Sequence, residues 1–239
     1  MSLPASRHDE VVAKWRHWLE LIQPHVIGLH HERRIWREMR DALAERAPDT
    51  AGVFLSHYTR LYVDGSAMAV RRLADQSKRD KTSVSLWRLI DDIRKQRDVW
   101  TRERYVDLFI KDETRAEARR SLRRVAGEEF DETFGDDGSG RIDPERLEED
   151  LAMLRSQAGR VTDFADRLVA HIDRRGVDEL PTFADLDAAI DVCGHVFKRY
   201  HLLLHASSWL RLEPTIQEDW KAPFRQPLFD STPRPRSRR

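Results

Sequence analysis

A chain of 239 residues, 40% hydrophobic and 35% charged, has room for one large domain or two small ones under a densely charged surface. Lys plus Arg and Asp plus Glu both number 42, which argues against a nucleic-acid coat or a membrane-surface protein but leaves room for local basic patches. Cys193 is the single cysteine, so no internal disulfide forms and a reducing compartment is expected. The opening "MSLPASRHDE" has no apolar signal core, and no run approaches the ~20 apolar residues that cross a bilayer. The expectation is a cytoplasmic protein with no membrane partner.

Ten glycines and ten prolines gather between periodic segments, and nothing alternates with period two. The chain therefore reads as all-α. From about Asp9 to Gln23, Val12, Trp15, Leu19 and Ile22 form one apolar face, and Pro24 is expected to kink the helix or start the next. The pattern resumes through Ile35, Trp36, Met39 and Leu43 and stops at "APDT". A third helix over about 51 to 77 should turn Phe54, Tyr58, Leu61, Tyr62, Met68 and Leu73 inward. A shorter one after "KTS" uses Leu86, Leu89, Ile90 and Ile93. Thr101 caps another, with Tyr105, Leu108 and Phe109 inward.

Residues 111 to 142 are helical in propensity but poor in apolar anchors, with Leu122, Val125, Phe130 and Phe134 the candidates. They read as a charged arm that protrudes or covers little core. Asp143 is a good N-cap, Pro144 suits the first helical position and Glu145 favours the positive helix end. From there Leu147, Leu151, Leu154, Ala158, Val161, Ala165, Leu168 and Ile172 keep steps of four and three, with Gly176 closing the helix in the C′ position. Its partner begins after Thr182 and carries Phe183, Leu186, Ile190, Cys193, Phe197, Tyr200 and Leu204. Two such stripes joined by "GVDELPT" predict a long antiparallel helical hairpin. The sequence thus predicts one helical domain over residues 1–222, a bundle built on that hairpin. A Pro- and Arg-rich tail, 223–239, is expected to be disordered.

Three stretches raise the question of chemistry. "DDGSGRID", 136 to 143, resembles an EF-hand loop, but its twelfth place is Arg146, where a bidentate glutamate should stand. It reads as a Gly-rich turn ending in a helix cap, and no metal or cofactor is expected. His201 and His205 lie four apart, but no glutamate follows His201 and no third ligand is evident. A packed, hydrogen-bonded His201 is the expectation. In "FADRLVAHIDRR", Arg160, Phe164, Arg167 and His171 share a second helical face beside the core stripe at about 100° per residue. An arginine next to a histidine can cleave RNA without a metal. The imidazole moves the proton of the ribose 2′-hydroxyl, and the guanidinium holds the phosphate in a two-pronged contact. The other reading is positive charge complementing a helix C-terminus.

The stretches "WLELIQPHVIGLHHERRIW", "LYVDGSAMAVRRLADQSKRDKTSVSLWRLIDDI" and above all "ADRLVAHIDRR" resemble the HEPN superfamily, and within it the abortive-infection AbiU-like branch, over most of residues 10 to 205. The resemblance implies a helical bundle that forms a homodimer and a defence or toxin-type role, with RNA and an antitoxin or other defence protein as partners. Many such proteins are metal-independent RNases, and others have lost activity and act as helical interaction modules. The family signature is an arginine, four to six residues, then a histidine, with a polar residue after the arginine. Carried over, Arg167 and His171 are the catalytic pair; Arg160, on the same helical face, is the expected substrate contact. Three residues separate that pair, and Leu168 replaces the polar residue. Arg199 and His205, with five residues between them, match the spacing but point about 120° apart on a regular helix.

Overall fold

The computed structural model describes residues 6–46, 52–77, 82–111, 115–136, 138–177 and 179–222. Seven α-helices occur among them, and no strand. The first, α1 (Arg7–Arg46), runs unbroken for 40 residues, about 60 Å at 1.5 Å per residue. Val12, Trp15, Leu19, Ile22, Val26, Leu29, Trp36 and Met39 form one buried stripe along it. Pro24 neither divides the helix nor starts a new one. It sits on the exposed side, where losing one backbone donor is tolerated without disturbing the buried face.

The second helix, α2 (Gly52–Leu73), buries Tyr62, Ser66, Ala67, Val70 and Leu73. Phe54 and Leu61, expected inward, are 51% and 57% exposed. They share an apolar stripe, but it lies roughly 150° round the helix from the mean direction of the buried residues. By contrast α3 (Leu86–Lys95) follows the sequence: Leu86, Leu89, Ile90 and Ile93 are fully buried, and Ser85 caps the helix by accepting from Arg88 N. A 3-10 turn at Arg97–Val99 leads to α4 (Arg102–Asp107), capped by Thr101 as expected.

The arm reading holds for only half of α5 (Ala116–Thr133). Residues 116 to 124 are largely exposed and Val125 is 51% exposed, but Ala126, Gly127 and Phe130 are buried. Phe130 and Phe134 pack on Tyr105 at 5.6 and 6.0 Å between ring centroids. A chain with few apolar residues docks here because those it has are aromatic, and because Gly127 lets the Arg102 guanidinium cross it to reach Asp131 at 2.9 Å. The following turn is closed by Asp143 N donating to the Phe134 carbonyl at 2.8 Å and Asp136 N donating to the Arg141 carbonyl at 3.1 Å, with positive φ at Gly138 and Gly140.

The hairpin is formed by α6 (Pro144–Phe164) and α7 (Phe183–His205). Its antiparallel sense shows in its pairs: Arg160 meets Asp185 at one end, and Asp150 meets Tyr200 at the other. The capping at Asp143 is as expected, and at Thr182 it becomes a full capping box with Asp185. The far end of α6 departs from expectation. The helix does not run to Gly176. It passes into a π-helical turn, Ala165–Val169, sealed by Ala170 N donating to the Ala165 carbonyl at 2.8 Å, and then leaves helical geometry. Leu168 and Ile172, expected in the core stripe, are 39% and 99% exposed. The added residue in the wider turn rotates everything after Ala165 off the buried line. Residues 223–239 lie outside the described residues. No helix of the described residues is long and apolar enough to cross a membrane.

Candidate functional site

The stretch from Ala165 to Gly176 is a short loop anchored at three points. Arg71 of α2 pairs with Asp166 at the start of the π turn. The Arg167 carbonyl accepts from Asp173 N at 2.9 Å, and the Arg167 guanidinium reaches forward to the Gly176 carbonyl at 3.3 Å. Gly176, at φ 62°, closes a tight turn by donating to the Asp173 carbonyl. It therefore closes this loop and not the helix. Arg175 ties Asp173 at 2.6 Å, which holds that carboxyl well below the usual range.

Arg167 is half-buried and forms no carboxylate ion pair among the described residues, although its charge acts on the Asp173 carboxyl. His171 is exposed. Arg160, one helix turn before Phe164, is held by Glu179 at 2.6 Å and Asp185 at 3.2 Å, so its charge is already matched. The four residues that a straight helix would align are thus dispersed. Arg160 and Phe164 stay on α6, Arg167 lies in the π turn and reaches forward to Gly176, and His171 follows that turn by two residues.

On its other side the π turn borders a groove between α1 and α2. One hollow of about 560 Å³ is lined by Gly28, Glu32, Asp64, Gly65 and Val169. A second, of about 550 Å³, is lined by Leu21, Arg71, Ser83 and Val84. His25 and Arg72 line both. Both are exposed, and Arg72 has no ion-pair partner among the described residues.

The other candidates resolve into structure. Arg199 donates to Asp150 at 3.3 Å and to the Thr133 carbonyl at 2.7 Å and lies over the Phe134 ring. It ties α7 to α5 and α6. His201 is half-buried and donates from Nδ1 to the Ser207 carbonyl at 2.8 Å, stacked on His205 at 4.8 Å. Burial, with His201 and Arg16 nearby, lowers the His205 pKa. Arg146 pairs with Asp143 at 3.7 Å and donates to the Glu132 carbonyl. The residue in the glutamate's place is therefore fastening a turn.

Another hollow, of about 680 Å³ between α1 and residues 211 to 216, is rich in arginine. Three of its four arginines are matched by carboxylates: Arg33 by Asp191 and Arg37 by Asp187, both at 2.7 Å, and Arg34 by Glu38 at 2.8 Å, while the exposed Arg211 has no ion pair among the described residues. No cluster of three or more His, Cys, Asp or Glu among the described residues has metal-binding geometry.

The sequence model of the HEPN AbiU2 family matches residues 13–222, a span that takes in the hairpin, the π turn and the groove. The chain belongs to the HEPN AbiU2 family. That membership makes it a protein of abortive-infection, defence type. No curated protein and no solved structure matches it.

In this AbiU2 family member the sequence pattern locates the loop but not its geometry. A 3.6-residue wheel carries no sign of a π turn, because Leu168 and Ile172 continue the apolar spacing through it. The groove escapes the pattern too, although it leaves a signal. Gly28 and Gly65 each lie within a long helix, where glycine costs about 1 kcal/mol relative to alanine.

Proposed function

We propose that this protein is a metal-independent RNase of the defence type, with His171 as the general acid/base and Arg167 as the phosphate ligand. The supporting observation is the π turn. Positive charge near a helix C-terminus would need no chemistry, but α6 ends at Phe164 and the π turn at Val169. Arg174 and Arg175 lie more than a turn past that end, so the helix dipole does not account for them, and His171 stands where the loop begins, next to the Ala170 cap. A loop pinned at both ends that presents an exposed imidazole and an arginine with no carboxylate ion pair among the described residues is suited to a phosphodiester.

Leu168, Ile172 and Leu180 are exposed beside it. A second copy of the chain covering them would form a homodimer and bring two loops together. Arg160 reaches substrate only by giving up Glu179 and Asp185, so it contributes less than Arg167. That matched arginine also favours a second reading, a non-catalytic module that uses the same face to hold a partner protein.

The test is RNA cleavage in EDTA. The wild type should cleave, because the chemistry needs no metal. Folded His171→Ala and Arg167→Ala proteins should each be slower by at least ~10²-fold, the usual contribution of an acid/base group, and His205→Ala should match wild type. An inert wild type, or a folded His171→Ala protein that cleaves equally well, would leave the interaction module as the reading.

A further inference from the structure

The exposed half of α5, with the Arg115 cap before it, is built of arginine. Residues 115 to 124 hold Arg115, Arg119, Arg120, Arg123 and Arg124, no lysine, and Glu117 as their one acid. With Arg115 at zero on a wheel of about 100° per residue, Arg115, Arg119, Arg120 and Arg123 fall between about 0° and 140°. Ala126, Gly127 and Phe130, which dock the other half of α5, fall in the same arc. The carboxylates of the helix, at Glu117, Glu128, Glu129, Asp131 and Glu132, all fall outside it. One face of α5 thus changes from a docking face to an arginine face where its residues become exposed.

Arg115, Arg120 and Arg123 are exposed and have no ion pair among the described residues. Arg124, at the edge of the face, is matched by Glu128 at 3.1 Å, and Arg119 is half-buried. Elsewhere exposed arginines are matched across the fold, Arg104 by Asp9 at 2.9 Å and Arg141 by Asp98 at 2.5 Å. On α5 like charges recur four apart, at 115, 119 and 123 and again at 120 and 124, a spacing that costs an isolated helix a few tenths of a kcal/mol per pair, about 0.2 to 0.5. Within the protein nothing offsets that repulsion at the three unpaired arginines. An acidic partner would.

The residues between the arginines select that partner. From 115 to 123 the arc offers only Ala116 besides arginine. A protein partner would need an apolar or aromatic centre that excludes water, where charge is depleted. A single strand is held by stacking its bases on aromatic side chains, and residues 115 to 124 have none. An anionic membrane would need a broad apolar flank, and outside the arc this half of the helix offers little beyond Leu122 and Val125. A double helix turns its phosphates outward and keeps its bases inside, so it asks only for positive charge and donors. The guanidinium fork grips phosphate oxygens in pairs. We infer that Arg115, Arg120 and Arg123 bind the phosphate backbone of double-helical RNA without reading its sequence. The choice of RNA over DNA rests on the RNase reading above. None of the three belongs to the loop that carries His171, so they hold the duplex and take no part in the chemistry.

The test uses the full chain and a short fluorescein-labelled RNA duplex whose 2′-O-methyl groups block cleavage, followed by anisotropy in EDTA across a salt series. The variant is Arg115→Ala/Arg120→Ala/Arg123→Ala. Alanine is at least as good a helix former as arginine, so its melting temperature should be no lower than that of wild type. Its affinity should fall roughly tenfold or more and its salt slope by roughly two to three, at ~0.9 per phosphate contact on a duplex. Arg72→Ala/Arg211→Ala, which removes two other exposed arginines without ion pairs, should bind as wild type does.

No binding by wild type, unchanged affinity in the triple variant, or an equal loss in the Arg72 and Arg211 control would overturn the arginine face whatever the cleavage assay shows. Equal or tighter binding of one separated strand would overturn the duplex, and equal or tighter binding of a DNA duplex of the same sequence would overturn RNA as its source. Duplex binding that is lost in the triple variant alongside a wild type inert towards RNA would uphold the face and reject the RNase.

Discussion

Tyr200 of α7 donates its hydroxyl to Asp150 of α6 at 2.9 Å, both residues about 1% exposed, while Arg199 holds the second carboxylate oxygen at 3.3 Å. This is the charged centre of an otherwise apolar hairpin. Burial raises the Asp150 pKa, and Arg199 and Tyr200 oppose that rise. A buried pair of this kind adds little net stability over an apolar contact of the same shape, but breaking one side is costly because the other stays behind without its partner. Asp150→Ala is therefore expected to lose about 3 kcal/mol, measured by urea denaturation at neutral pH. A loss within a few tenths of wild type would mean that Arg199 finds water instead. The result also bears on Arg199 itself: an Arg199→Ala protein that loses activity should have lost stability first.

His30 predicts a pH dependence. It is buried on α1, its Nδ1 accepts from the Arg33 guanidinium at 3.2 Å, and its Nε2 has no hydrogen-bond partner among the described residues. Burial first, then the Arg33 charge, lowers its pKa from 6.5 to about 4. A base with a depressed folded pKa gains its proton on unfolding. The stability from this source is complete above about 6.5 and drains away as pH falls towards about 4. Each tenfold weakening of proton binding is worth about 1.4 kcal/mol, so the full effect is on the order of 3 kcal/mol. Wild type should lose more stability than His30→Gln between about pH 7 and about pH 5. Parallel losses would show that the ring takes up its proton without opening the fold.

Much of this architecture is legible in the sequence, and the failures share a cause. Where apolar spacing and burial agree, as at Leu86, Leu89, Ile90 and Ile93 or along Leu147 to Val161, the wheel picks the right face. It fails where an apolar residue is not a core residue. Phe54 and Leu61 form as good a stripe as Tyr62 and Val70, and only the position of α1 and α7 decides which is covered. It also fails where backbone geometry changes without a change in composition. Nothing in "ADRLV" marks a π turn, so the wheel carries His171 on a helix that the chain has already left. The Arg160, Arg167 and His171 face depends on that continuity. The Arg71–Asp166 pair and the α1–α2 groove join parts of the chain far apart in sequence, which no local pattern encodes.

The start of α7 offers a test of local capping. Thr182 Oγ1 accepts from Asp185 N at 3.2 Å, and the Asp185 carboxylate accepts from Thr182 N at 2.7 Å. Arg160 holds the other Asp185 oxygen, so the cap also fixes where α6 meets α7. Thr182→Ala should cost about 1 kcal/mol, read as a lowered melting temperature, and Thr182→Ser should recover most of it. Equal melting of all three proteins would make the box incidental.

Limited proteolysis separates the hairpin as found from the one the stripe suggests. An unbroken helix to Gly176 would shield Arg174 and Arg175 in its last turns. In the structure both are exposed in a non-helical connection between the π turn and Thr182, where a protease can draw the backbone into its site. Arg146, Arg155 and Arg160 are equally good trypsin sites by sequence, but they lie in α6, whose inner face is buried along its whole length. Local opening there requires breaking the core, whereas opening the loop breaks only the Arg167–Gly176 and Arg175–Asp173 contacts. At limiting trypsin, apart from cuts in the tail after residue 222, the first internal cuts should fall after Arg174 or Arg175 and in the exposed half of α5 between Arg115 and Arg124. Asp166→Ala, which frees the loop from Arg71, should speed the Arg174 and Arg175 cuts and leave those in α5 unchanged. First cuts inside Pro144–Phe164, identified by mass spectrometry of the fragments, would show that α6 is not the rigid arm on which the loop is mounted.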